Sequence, residues 1–145
     1  MFVVSKLPGD GLDLSFSIRD AVLAQARIWA RELKRRPLKP FYSYRVRYRP
    51  EPADSLAEEW VDPYTVLKRG HGDCDDLVIF RLAQILNEHH YDLDSLAAPL
   101  PAWPAVAREI GTGRYHVYIG FPGAKYEDPA KIQLQKYGED VRQVF

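Results

Sequence analysis

Three residue types that can carry out nucleophilic catalysis occur in this 145-residue chain in the order cysteine, histidine, aspartate. Cys74, the sole cysteine, lies in the acidic run GHGDCDD at 70–76. His116 lies in the apolar segment RYHVYIGF, and Asp128 follows the turn-forming residues PGAK. A cysteine nucleophile needs a base that takes its proton and a group that orients the base. Cys74, His116 and Asp128 are therefore candidates for nucleophile, base and orienting carboxylate.

The residues around Cys74 are unusual for a reactive thiol, because neighbouring negative charge opposes ionisation. However, an apolar helical pattern begins at Cys74, and the N–H groups of a helix N-terminus favour a thiolate. Successive side chains of a first turn point about 100° apart. We therefore expect Asp73 to cap the helix and Asp75 to lie in its first turn while the thiol faces elsewhere.

Two alternatives at this motif remain open. Asp73 and Asp75 could hold a calcium ion, although calcium takes about six to eight oxygen ligands, more than two carboxylates supply. His71, three residues before Cys74, is a second candidate base, but a loop histidine so close to the nucleophile is more typical of a residue that lines the cleft.

Three helices are predicted around this motif. The segment SIRDAVLAQARIWARELKRR predicts a helix over about 17–35, with Ser17 and Asp20 as a capping box. Asp62, Pro63 and Gly70 predict the N-cap, first position and end of a short helix. The helix from Cys74 to about residue 90 should pack against the first helix through its apolar residues, namely Leu77, Val78, Leu82, Ile85 and Leu86.

A hairpin is predicted to bring His116 and Asp128 together. RYHVYIGF reads as a strand, PGAK as a turn and YEDP as the start of the partner strand. Residues equidistant from a turn face each other across an antiparallel ladder. The Asp128 carboxylate should then accept the imidazole N–H of His116 and leave the other ring nitrogen for the thiol.

The remaining segments give weaker predictions. Tyr42 to Arg49 alternates aromatic or apolar with polar or cationic residues, which predicts a strand that ends at Pro50. Prolines 99, 101 and 104 predict an irregular crossing with a helical turn through AVAREI at 105–110. Trp103 lies on this crossing, and its side chain is expected either to cover the site or to pack in a small apolar cluster apart from the main core. KIQLQ at 131–135 predicts a further strand.

Composition predicts one globular domain spanning 1–145. Apolar residues make up 46% and charged residues 28%, and the chain is long enough to bury a core without disulfides. One cysteine forms no internal disulfide, and the sequence contains neither a signal-peptide pattern nor a membrane-length apolar run. We expect a cytoplasmic protein that makes no membrane contact.

The formal net charge is zero, but it is unevenly distributed. Ten Lys and Arg against two acids between Arg19 and Arg49 give that part +8, and the remainder carries −8. Basic residues interleaved with aromatic ones can bind nucleic acid. We expect solvated arginines instead, because a single strand is not a groove, so a nucleic-acid partner is the least favoured of the functions considered.

These motifs together resemble the transglutaminase-like branch of the papain-like cysteine protease superfamily. The resemblance covers roughly 55–132 and rests on GDC at 72–74, YHVYI at 115–119 and EDP at 127–129. It implies an α+β fold with helices packed on an antiparallel sheet and the nucleophile at the N-terminus of a central helix. The Pro-rich APLPAWP at 98–104 departs from the family pattern.

The resemblance also implies roles. Cys74 is the nucleophile, His116 the general base and acid, and Asp128 the orienting residue. Trp60 is a candidate second donor to the oxyanion, beside the Cys74 backbone N–H. Some bacterial members bind calcium through acids at the positions of Asp73 and Asp75, and no other cofactor is required.

The implied activity is hydrolysis of amide bonds in a protein or peptide substrate, as in a protease or amidase. Two alternatives remain: acyl transfer to an amine, as in a transglutaminase, and a non-catalytic module that binds an assembly partner. Small stand-alone members of the superfamily occur in bacteria and phages, so a phage-encoded protein of this kind could be associated with the virion.

Overall fold

The computed structural model describes residues 2–5, 11–50, 57–95, 98–108 and 114–138, with side chains from residue 17 onward except at 57–59. It is an α+β arrangement, as the sequence predicts. The helices of the described residues are α1 (Gly11–Arg35), α2 (Pro63–Arg69), α3 (Cys74–Glu88) and α4 (Pro129–Tyr137). The strands are β1 (Phe2–Ser5), β2 (Arg47–Tyr48), β3 (Ala57–Trp60), β4 (His71–Gly72), β5 (Trp103–Arg108), β6 (Tyr115–Phe121) and β7 (Lys125–Glu127).

The core lies between α1, α3 and the three-stranded sheet. α3 is buried along nearly its whole length, and α1 packs against it through residues at helical spacing. The predicted α3 contacts are confirmed, because each of the five apolar residues is at most 1% exposed: Leu77, Val78, Leu82, Ile85 and Leu86. At about 25 cal/mol per Å² of apolar area, such burial is the main stabilising term of a domain this size.

The connection into α3 is built from α2 and a short parallel pairing. Asp62 caps α2 by accepting the Thr65 N–H at 3.0 Å, and Gly70 ends the helix with φ of +81°, as predicted. The chain then forms β4, which pairs with β2. The Arg49 N–H donates to the Gly72 carbonyl at 2.8 Å, which fixes the backbone two residues before Cys74.

The three-stranded antiparallel sheet has the order β5-β6-β7. The β6-β7 hairpin is the one predicted, with a turn at residues 122–124. Val117 and Ile119 of β6 are fully buried against α3, whereas alternate residues point to the opposite face. In a separate two-stranded sheet, β1 pairs antiparallel with β3, an element pair that the sequence analysis did not anticipate.

The predicted strand over Tyr42–Arg49 is mostly wrong. Phe41–Ser43 forms a 3₁₀ helix, because the buried Phe41 N–H donates to Gln84 Oε1 at 2.8 Å and the Ser43 N–H returns to the Pro40 carbonyl. Backbone pairing in β2 begins only at Arg47, where β4 supplies a partner. The alternating segment therefore divides into a 3₁₀ helix, a short connection and the two paired residues of β2.

The predicted strand at 131–135 is also wrong, since these residues lie in α4. The buried positions of α4 are Pro129, Ala130 and Gln133, which have helical spacing. Gln133 is fully buried and its Nε2 donates to the Val46 carbonyl at 2.9 Å. The alternation that suggested a strand is misleading, because a polar residue holds the most buried position and Leu134 is exposed.

Two other boundaries differ from the predictions. The helical turn at 105–110 is wrong over its described residues, because β5 extends to Arg108; residues 109 and 110 lie outside the description. β5 is an edge strand, where Pro104 is tolerated since it has no N–H to pair. α1 begins at Gly11, so Ser17 and Asp20 lie inside a helix and do not cap it.

Candidate active site

Cys74 is the first residue of α3, as predicted. Asp73 is the N-cap and accepts the Asp76 N–H at 3.0 Å, while the Asp76 carboxylate accepts the Asp73 N–H at 3.2 Å. This reciprocal pair is a capping box. Asp76 also accepts the Val61 N–H at 2.8 Å, so it ties the start of α3 to the segment that follows β3. The helix N-terminus that carries the thiol is thus held by three hydrogen bonds.

The residue after Cys74 is a buried carboxylate. Asp75 is 1% exposed, and its Oδ2 accepts the indole N–H of Trp60 at 3.0 Å. Its Oδ1 lies 3.6 Å from Cys74 Sγ, where the thiol donates. The prediction that Asp75 serves the helix while the thiol faces elsewhere is wrong, since Asp75 contacts the sulfur directly.

Burial raises the pKa of the Cys74 thiol well above its usual range, and the charges of Asp75 and Asp73 raise it further. Cys74 is 9% exposed, so water stabilises its thiolate poorly. A hydrogen bond from the backbone N–H of Val117 acts in the opposite direction and lowers the pKa. At rest the sulfur is therefore a protonated thiol.

α3 packs against β6, and Cys74 and Val117 belong to the same buried cluster. Val117 directly follows His116 on this strand, which carries the candidate base. The helix of the nucleophile thus lies on the histidine strand, but among the described residues no hydrogen bond joins Cys74 to His116. Cys74 and His116 are 42 positions apart in the sequence, so only the fold can bring their elements together.

His116 and Asp128 are directly hydrogen-bonded, as predicted, but they are not opposite each other across the ladder, which pairs Ile119 with Glu127. Nε2 of His116 lies 2.7 Å from Asp128 Oδ2, with the imidazole 39% and the carboxylate 15% exposed. When Nε2 carries the proton and donates to the carboxylate, Nδ1 has a lone pair and is the nitrogen available as base. This bond therefore selects one tautomer.

Asp128 has a second task that the sequence analysis missed. Its Oδ1 accepts the Lys131 N–H at 3.2 Å, which makes Asp128 the N-cap of α4, with Pro129 at the first helical position. One oxygen of the Asp128 carboxylate therefore binds the base, and the other caps a helix. The Asp-Pro signal that correctly predicted α2 at Asp62 is repeated here.

Glu127, the residue before Asp128, is the centre of a charge network that the sequence did not predict. Glu127 Oε2 accepts the Tyr42 hydroxyl at 2.6 Å and Arg81 Nε at 2.8 Å. Burial and then the hydrogen bond with Glu127 raise the pKa of Tyr42. Burial lowers the pKa of Arg81, but Glu127 outweighs it and the net shift is upward. An arginine on the apolar side of the α3 pattern was the available signal.

The other predicted site residues have structural partners. Trp60 is 3% exposed and its indole N–H is engaged by Asp75, so that donor is occupied by a carboxylate rather than held for an oxyanion. His71 is a buried strand residue of β4, not a loop residue of the cleft. Asp73 caps α3, and within the described residues no cluster of three or more His, Cys, Asp and Glu has metal-site geometry.

Comparisons with known proteins add no relative to this picture. The chain matches no protein-family model, no curated protein and no solved structure. Among the described residues, no helix has the length and apolar character needed to cross a bilayer. Function is therefore inferred from the residues and their geometry.

Proposed function

We propose that this protein is a cysteine-dependent hydrolase of amide bonds, with Cys74 as nucleophile, His116 as general base and acid, and Asp128 as the residue that orients His116. The observation that carries the proposal is the convergence of three elements. Cys74 starts α3, α3 packs against β6, and His116 of β6 is hydrogen-bonded through Nε2 to Asp128 at 2.7 Å. Nucleophile, base and orienting carboxylate are the parts that such chemistry needs.

The proposed reaction starts from the neutral thiol. Because the pKa of Cys74 is raised, a preformed thiolate is not the resting state. His116 Nδ1 takes the thiol proton as Sγ attacks the amide carbonyl carbon, and the imidazolium that forms is stabilised by Asp128. The backbone N–H groups at the start of α3 are the donors for the oxyanion.

The second half of the reaction returns the site to its starting state. His116 gives its proton to the amide nitrogen as the C–N bond breaks, which releases an amine and leaves a thioester on Cys74. Water then attacks the thioester while His116 takes a proton from it, and the acid product leaves with the thiol restored. An amine in place of water would give transamidation; we take water as the acceptor, and a protein or peptide as the substrate.

Calcium is not included in the proposal. The carboxylates of Asp73 and Asp75 accept N–H groups of the protein itself, which is the capping role that the sequence analysis offered for Asp73. We also retain the expectations of a cytoplasmic protein without a nucleic-acid partner. Arginines of the basic region contact protein groups, as in the ion pair of Arg31 with Asp94 at 2.7 Å and the stacking of Arg36 on Tyr64.

One observation favours a second candidate, a non-catalytic module that binds a protein partner. Cys74 is 9% exposed and its pKa is raised, whereas activated cysteines are more exposed and have a lowered pKa. In this alternative Cys74 fills the core, and the His116–Asp128 bond stabilises the hairpin against α4.

Labelling with an electrophilic cysteine probe separates the two candidates. The wild type should be labelled at pH 7, and Cys74→Ala should not. His116→Ala and Asp128→Ala should each slow labelling by about a hundredfold, the lower range for loss of a general base. His89→Ala is the matched control, because His89 is an exposed histidine at the opposite end of α3. Labelling at the wild-type rate in His116→Ala would reject the hydrolase and leave the binding module.

A further inference from the structure

The face of the sheet opposite the core carries a row of aromatic rings that begins at His116. The Tyr118 ring stacks on the imidazole with an interplanar angle of 16° and centroids 6.4 Å apart. Tyr126 of β7 meets Tyr118 edge to face with centroids 5.8 Å apart. Residues 116 and 118 share a face because strand side chains alternate. The candidate base is therefore the first member of an aromatic surface.

A cavity of about 320 Å³ lies along this surface. Its aromatic lining comes from Trp103, Tyr118, Phe121 and Tyr126, and Lys125 is the charged residue among the described residues that line it. This volume is at the small end of the roughly 300–1,000 Å³ range of ligand pockets. The cavity is open to solvent, and its volume is sufficient for an aromatic side chain.

The floor of the cavity is formed by a close contact between two paired residues. Trp103 and Gly120 are partners in the β5-β6 ladder. A Cβ placed on Gly120 would lie 2.5 Å from Trp103 Nε1 and 3.0 Å from its Cε2. The indole thus lies directly on the strand backbone, in a position that only a glycine at 120 permits. The place of the Trp103 indole in the lining is therefore set by its contact with the strand backbone.

The chemistry of amide cleavage decides which part of a substrate this surface meets. The acyl group remains on Cys74 Sγ, whereas the amine receives its proton from His116. The ring row starts at His116 and continues away from it along β6. In the proposed mechanism the substituent on the departing amine is therefore the part nearest Tyr118, the ring beside His116 on this face.

We infer that this cavity is a specificity subsite for an aromatic side chain on the leaving-amine side of the scissile amide. The edge-to-face pair of Tyr118 and Tyr126, with Trp103 in the same lining, suits a further ring. Lys125 repels a cationic side chain, which an aromatic surface would otherwise attract. The assignment to the leaving amine depends on the proposed hydrolase, whereas the aromatic preference of the cavity does not.

The binding test uses the full chain with Cys74→Ala, which removes turnover. N-acetylglycyl-phenylalaninamide, its alaninamide analogue and its lysinamide analogue are titrated by calorimetry. The phenylalanine peptide should bind about fivefold or more tightly than the alanine peptide, as expected for one added aromatic contact. Tyr126→Ala should abolish that preference, and this variant should fold because Tyr126 is 66% exposed. Tyr137→Ala, which removes an aromatic residue of α4 outside the cavity, should preserve it.

Equal affinity for the phenylalanine and alanine peptides, a preference that survives Tyr126→Ala, or tightest binding of the lysine peptide would each overturn the aromatic subsite. The leaving-amine assignment is tested in the wild type by release of phenylalaninamide. Tyr126→Ala should lower kcat/KM for this peptide about fivefold and leave the isomer N-acetylphenylalanyl-glycinamide unchanged. The reverse pattern overturns the assignment. Selective binding without any cleavage rejects both the hydrolase and the assignment, but retains the subsite.

Discussion

His116 and Asp128 are hydrogen-bonded at 2.7 Å although the hairpin register does not set them opposite each other. The ladder pairs Ile119 with Glu127, so its continuation places Asp128 opposite Tyr118. His116 is then a diagonal neighbour on the same face, a spacing of about 7–8 Å between backbones that a long or aromatic side chain can span. The bond consequently depends on how Asp128 is held at the start of α4.

Replacing Asp128 by asparagine should separate its two tasks. The Asp128 carboxylate uses one oxygen to bind His116 and the other to accept the Lys131 N–H, whereas the side-chain amide of asparagine has one oxygen. Because asparagine is as good an N-cap as aspartate, Asp128→Asn should retain the cap and cost less than about 0.5 kcal/mol in the free energy of unfolding. Cysteine labelling should nevertheless slow about a hundredfold. Urea unfolding and probe labelling measure the two effects.

Asp128→Ala is the companion variant. It removes the cap as well, so it should lower the free energy of unfolding by about 1 kcal/mol more than Asp128→Asn does, and labelling should slow at least as much. A labelling rate that follows stability across the two variants, with Asp128→Asn labelled at the wild-type rate, would contradict an orienting role for the carboxylate.

The sequence was sufficient to predict those parts of the site whose signals are local. Asp62, Pro63 and Gly70 bound α2 as their individual backbone preferences require, and Cys74 begins α3 where the apolar pattern begins. The hairpin followed from its turn residues. Each of these depends on hydrogen bonds between residues close in the chain.

The features that could not be predicted depend on distant partners. Gln133 is fully buried because it bonds the Val46 carbonyl across 87 positions, and that polar core residue concealed α4. Glu127 joins Tyr42 and Arg81, which no local pattern relates. Asp75 was expected to face away from the thiol, but Trp60, from the end of β3, fixes its carboxylate beside Cys74.

Removing the charge of Asp75 should make Cys74 more acidic. Burial is the largest cause of its raised pKa, and the Asp75 charge is the next. Asp75→Asn retains an oxygen that can accept the Trp60 N–H, so the packing should survive while the charge is lost. The rate of alkylation by iodoacetamide as a function of pH should shift to lower pH, and the rate at pH 7 should rise.

Asp92→Asn controls for a general change in charge, because Asp92 is an exposed acid in the turn after α3. It should leave the alkylation profile of Cys74 where it is in the wild type. An Asp75→Asn profile that stays in place or moves to higher pH would show that the carboxylate does not oppose ionisation of the thiol.

Stability should fall at alkaline pH because of Cys74. Its pKa is higher in the folded than in the unfolded chain, so the folded state holds this proton more tightly. The resulting stabilisation is fully present below the ordinary thiol pKa of about 8.5 and decreases as the pH rises above it. The slope should approach about 1.4 kcal/mol per pH unit for one proton.

Two variants assign this loss to particular groups, as measured by urea unfolding between pH 7 and 11. Cys74→Ala should flatten the decline that begins near pH 8.5. Tyr42, whose pKa is raised by burial and Glu127, adds the same sign of dependence above about pH 10, and Tyr42→Phe should remove that part. A wild-type stability that is constant from pH 8 to 10 would contradict burial of a protonated thiol.

The Glu127 carboxylate should contribute far more to stability than the other acid that contacts Arg81. Glu127 is 20% exposed, and it accepts from Tyr42 as well as from Arg81 Nε. Glu127→Ala leaves both donors largely buried without their acceptor, which should cost about 2–4 kcal/mol in the free energy of unfolding. Glu88→Ala removes the partner of Arg81 Nη1, a 55% exposed carboxylate at 3.2 Å, and should cost less than about 0.5 kcal/mol.

Because Glu127 precedes Asp128, cysteine labelling should slow in Glu127→Ala under conditions where the variant is still folded, and it should be unchanged in Glu88→Ala. Equal losses of stability in the two variants, measured by urea unfolding, would contradict the role of Glu127 as the anchor of the hairpin end.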